Sequence, residues 1–183
     1  MTLIRVIETE TASDAAKTSL DMVAKKLGRI PNMYKLMANS PATLESYIKF
    51  NTALSAGTLG NKMAELIALA TAESNACSYC LSAHTYFGKK AGLSVEDMEA
   101  ARDFVSRDEK IQAGLSFAKK LLETPREISK TDIAALQKAG YSDGDILEII
   151  ANVIRNMFTN YINIVAETEV DWPTIVTPKT SEK

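Results

Sequence analysis

The stretch from Glu65 to His84 reads as two apolar, Ala-rich helices broken at Ser74-Asn75, and it holds both cysteines and the only histidine of the 183-residue chain. Its pattern is E-x(11)-C-x-x-C-x(3)-H. Asn is a strong N-cap, so the break predicts a second helix beginning at Ala76, with Cys77 in its first turn. There the free backbone N–H groups and the positive end of the helix dipole favour an anion, which tends to lower a thiol pKa. Residues i and i+3 on a helix have Cβ atoms roughly 5–6 Å apart. A disulfide needs Cα atoms roughly 4.4–6.8 Å apart, so Cys77 and Cys80 can open and close a bridge in place. His84 lies four residues beyond Cys80 on the same stripe, where its imidazole can reach the sulfur directly or through one water. Glu65 falls on the preceding helix, which Asn61 is expected to cap. Packed as a hairpin, that helix would let the carboxylate orient and charge the imidazole.

Taken alone, a C-x-x-C pair reads equally well as two small buried residues. A lone His84 would more often be a satisfied core residue, and a lone Glu65 a solvated charge; their joint placement favours chemistry. A metal site fits poorly. Cys77 and His84 are separated by about 10 Å along a helix rising about 1.5 Å per residue, too far to share an ion with bonds of about 2.0–2.3 Å. No metal is therefore expected.

The spacing, together with the run ELIALATAESNACSYCLSAHTYFGKKAGLS, resembles the core motif of the alkylhydroperoxidase D-like group within the carboxymuconolactone decarboxylase superfamily. The resemblance covers roughly Leu59 to Leu93. A looser one links Asn156–Asn163 and Thr168–Pro173 to the C-terminal helix and tail of the peroxidase-related members. It implies a cofactor-free thiol peroxidase or disulfide oxidoreductase. Cys80 would attack a hydroperoxide, Cys77 would resolve the product to the disulfide, and Glu65 and His84 would activate the thiol. An external dithiol or thiol-protein would return the electrons. The same resemblance implies a homo-oligomer, a trimer or hexamer. One departure stands out: some members with peroxidase chemistry carry a second His just before the second Cys, where this chain has Tyr79, and a phenol is no base near neutral pH. Two other readings remain: a non-redox, lactone decarboxylase-like enzyme using His84 as acid–base, which needs no cysteine, and a thiol-based sensor or structural module without turnover.

At 183 residues the chain is read as one domain, 1–183, able to bury a core without staples. Two Cys in a C-x-x-C, with no signal-peptide character at Met1–Arg5, point to a reducing cytoplasm. No apolar run is long enough to cross a bilayer without charges. Lys+Arg 21 against Asp+Glu 23 leave a net −2 with interspersed signs, so neither nucleic acid nor a membrane surface is an expected partner.

Cap signals place the other elements. Residues 1–10 read as an extended arm. Thr11 or Ser13 starts a helix stopped by Gly28, Pro31-Asn32 opens a short helix through Met37, and Ser40-Pro41 starts another toward Ala56. Gly92 reads as a helix stop. Ser94 with Asp97, Ser129 with Asp132 and Ser142 with Asp145 read as capped or boxed helix starts. With no sustained strand alternation, the class is an all-α, single-domain helical bundle with the C-x-x-C near the N-terminus of a central helix. The segment Asp143–Glu167 is apolar around more than half its circumference, which fits a central helix or one facing another subunit. Residues 177–183 are expected to fray.

Overall fold

The computed structural model describes residues 2–179, which form nine α-helices and two single 3-10 turns, with no strand among them. The helices are α1 (Asp14–Leu27), α2 (Asn32–Met37), α3 (Pro41–Ser55), α4 (Asn61–Ser74), α5 (Ser78–Lys90), α6 (Val95–Arg102), α7 (Glu109–Glu123), α8 (Lys130–Lys138) and α9 (Asp143–Val165). None is long and apolar enough to cross a membrane.

Local chemistry sets most boundaries. Ser13, Ser40 and Ser94 accept hydrogen bonds from Ala16, Thr43 and Asp97 N–H at the starts of α1, α3 and α6. Ser129 with Asp132 and Ser142 with Asp145 form reciprocal capping boxes at α8 and α9. Gly28, Gly92 and Gly140 take positive φ just past α1, α5 and α8, where a side chain would be strained. Two expected caps differ. Asn61 is the first residue of α4, with Gly60 before it making no side-chain bond, and Asn75 follows α4 rather than opening α5.

α4 is the axis: from Leu66 to Glu73 every residue is buried, and it packs against α5, α6, α7 and α9. Its Leu69 and Ala72 join a core shared by α1, α3 and α5, around Leu20, Leu44 and Leu81. Its Ile67 and Ala70 join a second core with α7, α8 and α9, around Leu115, Leu136 and Ile149. Each fully buried Leu or Ile contributes about 1.5–3 kcal/mol. The most central helix therefore carries Glu65, and the cysteine helix α5 lies directly on it.

α9 is buried on one side and open on the other. One face is buried through Ile149, Asn152, Val153, Asn156, Asn160 and Asn163. The opposite side exposes Leu147, Ile154, Phe158, Tyr161 and Val165.

Both ends of the described stretch are tied down. The N-terminal arm, which includes the 3-10 turn Thr9–Thr11, donates Leu3 N–H to Ala166 O and Ile7 N–H to Lys35 O. After α9 the tail crosses back over α5. The Asp171 carboxylate pairs with Arg29 and accepts from Asn32 N–H at 3.0 Å and Tyr79 Oη at 2.9 Å. Trp172 packs against Tyr79, Tyr86 and Phe87 with the Arg29 guanidinium 5.0 Å from its ring centre. Part of the tail expected to fray, Thr177–Lys179, makes defined contacts. Thr177 O accepts from Arg102 at 2.8 Å and Lys179 N–H donates to Glu73 at 2.6 Å, anchoring this stretch to a buried Glu73–Arg102 ion pair. The rest of that expectation, 180–183, lies outside the described residues.

Candidate active site

α4 and α5 are joined by a tight reversal. Ala76 N–H donates to Glu73 O and Cys77 N–H to Ala72 O, the two bonds of a Schellman stop, with Ala76 at φ 53° in the place glycine usually takes. This turn ends α4 and leaves Cys77 extended at the N-cap of α5, its sulfur accepting from Cys80 N–H at 3.3 Å. The predicted start at Ala76 therefore moves to Ser78, and Cys77 replaces Asn75 as the capping residue. The anion-favouring position predicted for Cys77 persists, because an N-cap sulfur faces the same unpaired N–H groups.

Cys77 and Cys80 are joined in a disulfide across a Cα separation of 5.3 Å, and both are almost fully buried. Further along α5, His84 Nδ1 lies 2.8 Å from Glu65 Oε2. An ionised carboxylate can only accept, so Nδ1 carries the proton and Nε2 is the basic nitrogen of a neutral ring. Glu65 and His84 are partly exposed because they form one wall of a cavity of about 420 Å³ between α1, α3, α4, α5 and α9. Glu65 and His84 line this cavity and neither cysteine does.

Three features were not evident from the motif. Asn163 of α9 donates its Nδ2 to Cys80 Sγ at 3.5 Å and to Thr159 O at 2.9 Å, so the hydrogen-bond donor to that sulfur comes from the last helix. The signal was present as Asn152, Asn156, Asn160 and Asn163, an amide row at helical spacing on a strongly apolar helix. Tyr34 and Tyr47, ring centres 5.8 Å apart, face the same cavity, and burial pushes both phenols above their usual range. Tyr79, where a second His occurs in some relatives of the motif, accepts from Met33 N–H at 3.2 Å and donates to Asp171, and burial pushes its phenol up. It is a joint holding the tail.

Residues 41–120, which contain α3, the hairpin and the C-x-x-C, match the carboxymuconolactone decarboxylase family model. That match spans the hairpin and its flanking helices, a little under half of the chain. The fold of the chain is alkylhydroperoxidase D-like. The structure is similar to a peroxidase-related protein with an alkylhydroperoxidase AhpD core from Ralstonia eutropha JMP134, at TM-score 0.83 and 22% identity over 93% of this chain and 92% of that one. It is also similar to a peroxidase-related protein from Silicibacter sp. TM1040, at TM-score 0.77 and 24% identity over 86% and 85% of the two chains. A third similar structure is a cysteine-to-alanine variant of the debrominase Bmp8 in complex with 2,3,4-tribromopyrrole, at TM-score 0.77 and 20% identity over 93% and 92%. No curated protein matches the sequence.

Proposed function

We propose that this chain is a member of the carboxymuconolactone decarboxylase superfamily and a thiol peroxidase or disulfide oxidoreductase that works without a cofactor. The observation that carries the reading is the Cys77–Cys80 pair closed on α5 with the Glu65–His84 hydrogen bond one turn beyond it. From the dithiol, His84 Nε2 takes the Cys80 proton and the thiolate attacks the distal peroxide oxygen. The O–O bond breaks, the alcohol leaves with a proton, and Cys80 becomes a sulfenic acid. The Cys77 thiolate then attacks that sulfur, expelling water and forming the disulfide. An external dithiol or thiol-protein restores both thiols through a mixed disulfide, which fits a reducing compartment such as the cytoplasm. Burial of both sulfurs argues that the hairpin opens locally to meet its reductant.

The Tyr-lined cavity and the likeness to Bmp8 favour a second substrate for the same thiols. Reductive debromination would replace an aryl C–Br bond by C–H and release bromide, with the two electrons again leaving the pair as a disulfide. A lactone decarboxylase-like reaction through His84 would use neither cysteine, and a sensor or structural module would show no turnover.

The test is consumption of cumene hydroperoxide coupled to dihydrolipoamide or dithiothreitol, with 2,3,4-tribromopyrrole run in parallel. Peroxide turnover abolished in a Cys77→Ser/Cys80→Ser double variant is the expected result. Equal rates in that variant, or no peroxide turnover by the native protein, would reject the peroxidase reading.

A further inference from the structure

The cavity beside His84 contains a charge that the thiol chemistry leaves unused. Arg155 of α9 is only 6% exposed, yet it lines this space. Its Nη1 donates to Asn51 Oδ1 at 3.0 Å, and among the described residues no carboxylate lies within ion-pair distance of it. A guanidinium stays protonated at any working pH. Buried without a counter-charge, it is costly, and removing it from water is normally offset by an anion with matched hydrogen bonds. The cavity's other charges do not supply one. Lys26 and Lys90 add positive charge to its lining, and its one carboxylate, Glu65, is already bonded to His84.

The rest of the wall is built for an apolar body. Ile48, Phe87 and the faces of Tyr34 and Tyr47 line it. The volume of about 420 Å³ lies within the range of small-molecule sites, about 300–1,000 Å³. With Nη1 held by Asn51, the remaining edge of the guanidinium presents paired N–H groups, the geometry that a planar carboxylate accepts two at a time. We propose that the cavity takes a substrate with an aromatic or aliphatic body and a carboxylate, the carboxylate paired with Arg155 and the reactive end turned toward His84. The identity of that reactive end rests on the peroxidase reading; the carboxylate subsite rests on the cavity alone.

Binding therefore tests it apart from turnover. Calorimetric titration of the oxidised protein with 4-phenylbutyrate and with the isosteric, uncharged 4-phenylbutanamide should give the acid an advantage of about ten-fold or more, the worth of a charge-assisted pair. Arg155→Met should abolish the advantage and Arg155→Lys should retain part of it. If the Met variant fails to fold, the native protein and the Lys variant still decide. Equal affinity of acid and amide for the native protein, or an undiminished advantage in a folded Arg155→Met, would overturn the subsite. Acid-selective binding with no turnover of any hydroperoxide would support the subsite while removing the peroxidase reading. Peroxide turnover with no acid selectivity would do the reverse.

Discussion

At the scale of single residues, the two cysteines are distinguished by what donates to them and what stands beside them. Cys77 has the helix N-terminus; Cys80 has the Asn163 amide against its sulfur and His84 one turn on. A dipole and N–H groups stabilise a thiolate but remove no proton, whereas an imidazole does. Cys80 is accordingly the expected peroxide-reactive thiol. A dimedone-type probe should label the sulfenic acid at Cys80 in Cys77→Ser and label Cys77 poorly in Cys80→Ser. His84→Ala should slow labelling about 10²–10⁴-fold, the usual worth of a positioned base. Undiminished label on Cys77 in Cys80→Ser would assign the nucleophile to the helix N-terminus. The Cys77–Cys80 and Glu65–His84 contacts were legible because their members lie within one hairpin of sequence. Asn163 and Arg155 were not, because only packing of α9 against α5 and α3 brings residues 83 and 104 positions apart together.

At the scale of elements, serine caps were the most legible part of the fold, since an N-cap and its N3 partner are three residues apart and need no tertiary context. The α4–α5 junction was misread for the opposite reason. Ala76 in a left-handed conformation gives no sequence signal, and only the packing of two buried helices repays a strain of about 1–2 kcal/mol. Among the caps, the α9 box has the widest reach. Asp145 accepts from Thr58 Oγ1 at 2.6 Å as well as from Ser142 N–H, so it fastens the α3–α4 loop to the start of α9. The Thr58 hydroxyl, followed by the Ser142 donors, holds its carboxyl below the usual carboxylate range. A carboxylate depressed in the folded state stabilises above its unfolded pKa, about 4, and loses that contribution as pH falls through the lower folded value. Asp145→Ala should therefore cost about 1 kcal/mol at pH 7. The gap to the native protein should close below about pH 4, read by urea denaturation at both pH values; a gap that widens on acidification would contradict this role.

At the scale of the whole molecule, the exposed side of α9 is the feature that a lone chain does not explain. Leu147, Ile154, Phe158, Tyr161 and Val165 are spaced seven, four, three and four residues apart and all lie open. That near-heptad interval draws one continuous apolar stripe down the helix, the kind of seam that another helix covers. Self-association along this stripe is the expected outcome. Sedimentation at micromolar concentration should show more than one subunit for the native chain and a shift toward the monomer for Ile154→Glu. A native chain sedimenting at 20.0 kDa would reject it.

The tail that closes over α5 also has a consequence in time. Arg29 and Asp171 are 142 positions apart, so a ribosome adding about 5–20 residues per second delivers the second roughly 7–28 s after the first. For the last part of that interval, roughly 4–17 s between Phe87 and Trp172, the Tyr79, Ser82 and Phe87 side of the cysteine helix awaits Trp172 and Val176. A nascent chain thus passes through a stage in which its redox helix exists but its cover does not. A product released before Asp171 would present that aromatic face permanently, a mark of incompleteness for chaperones and proteases.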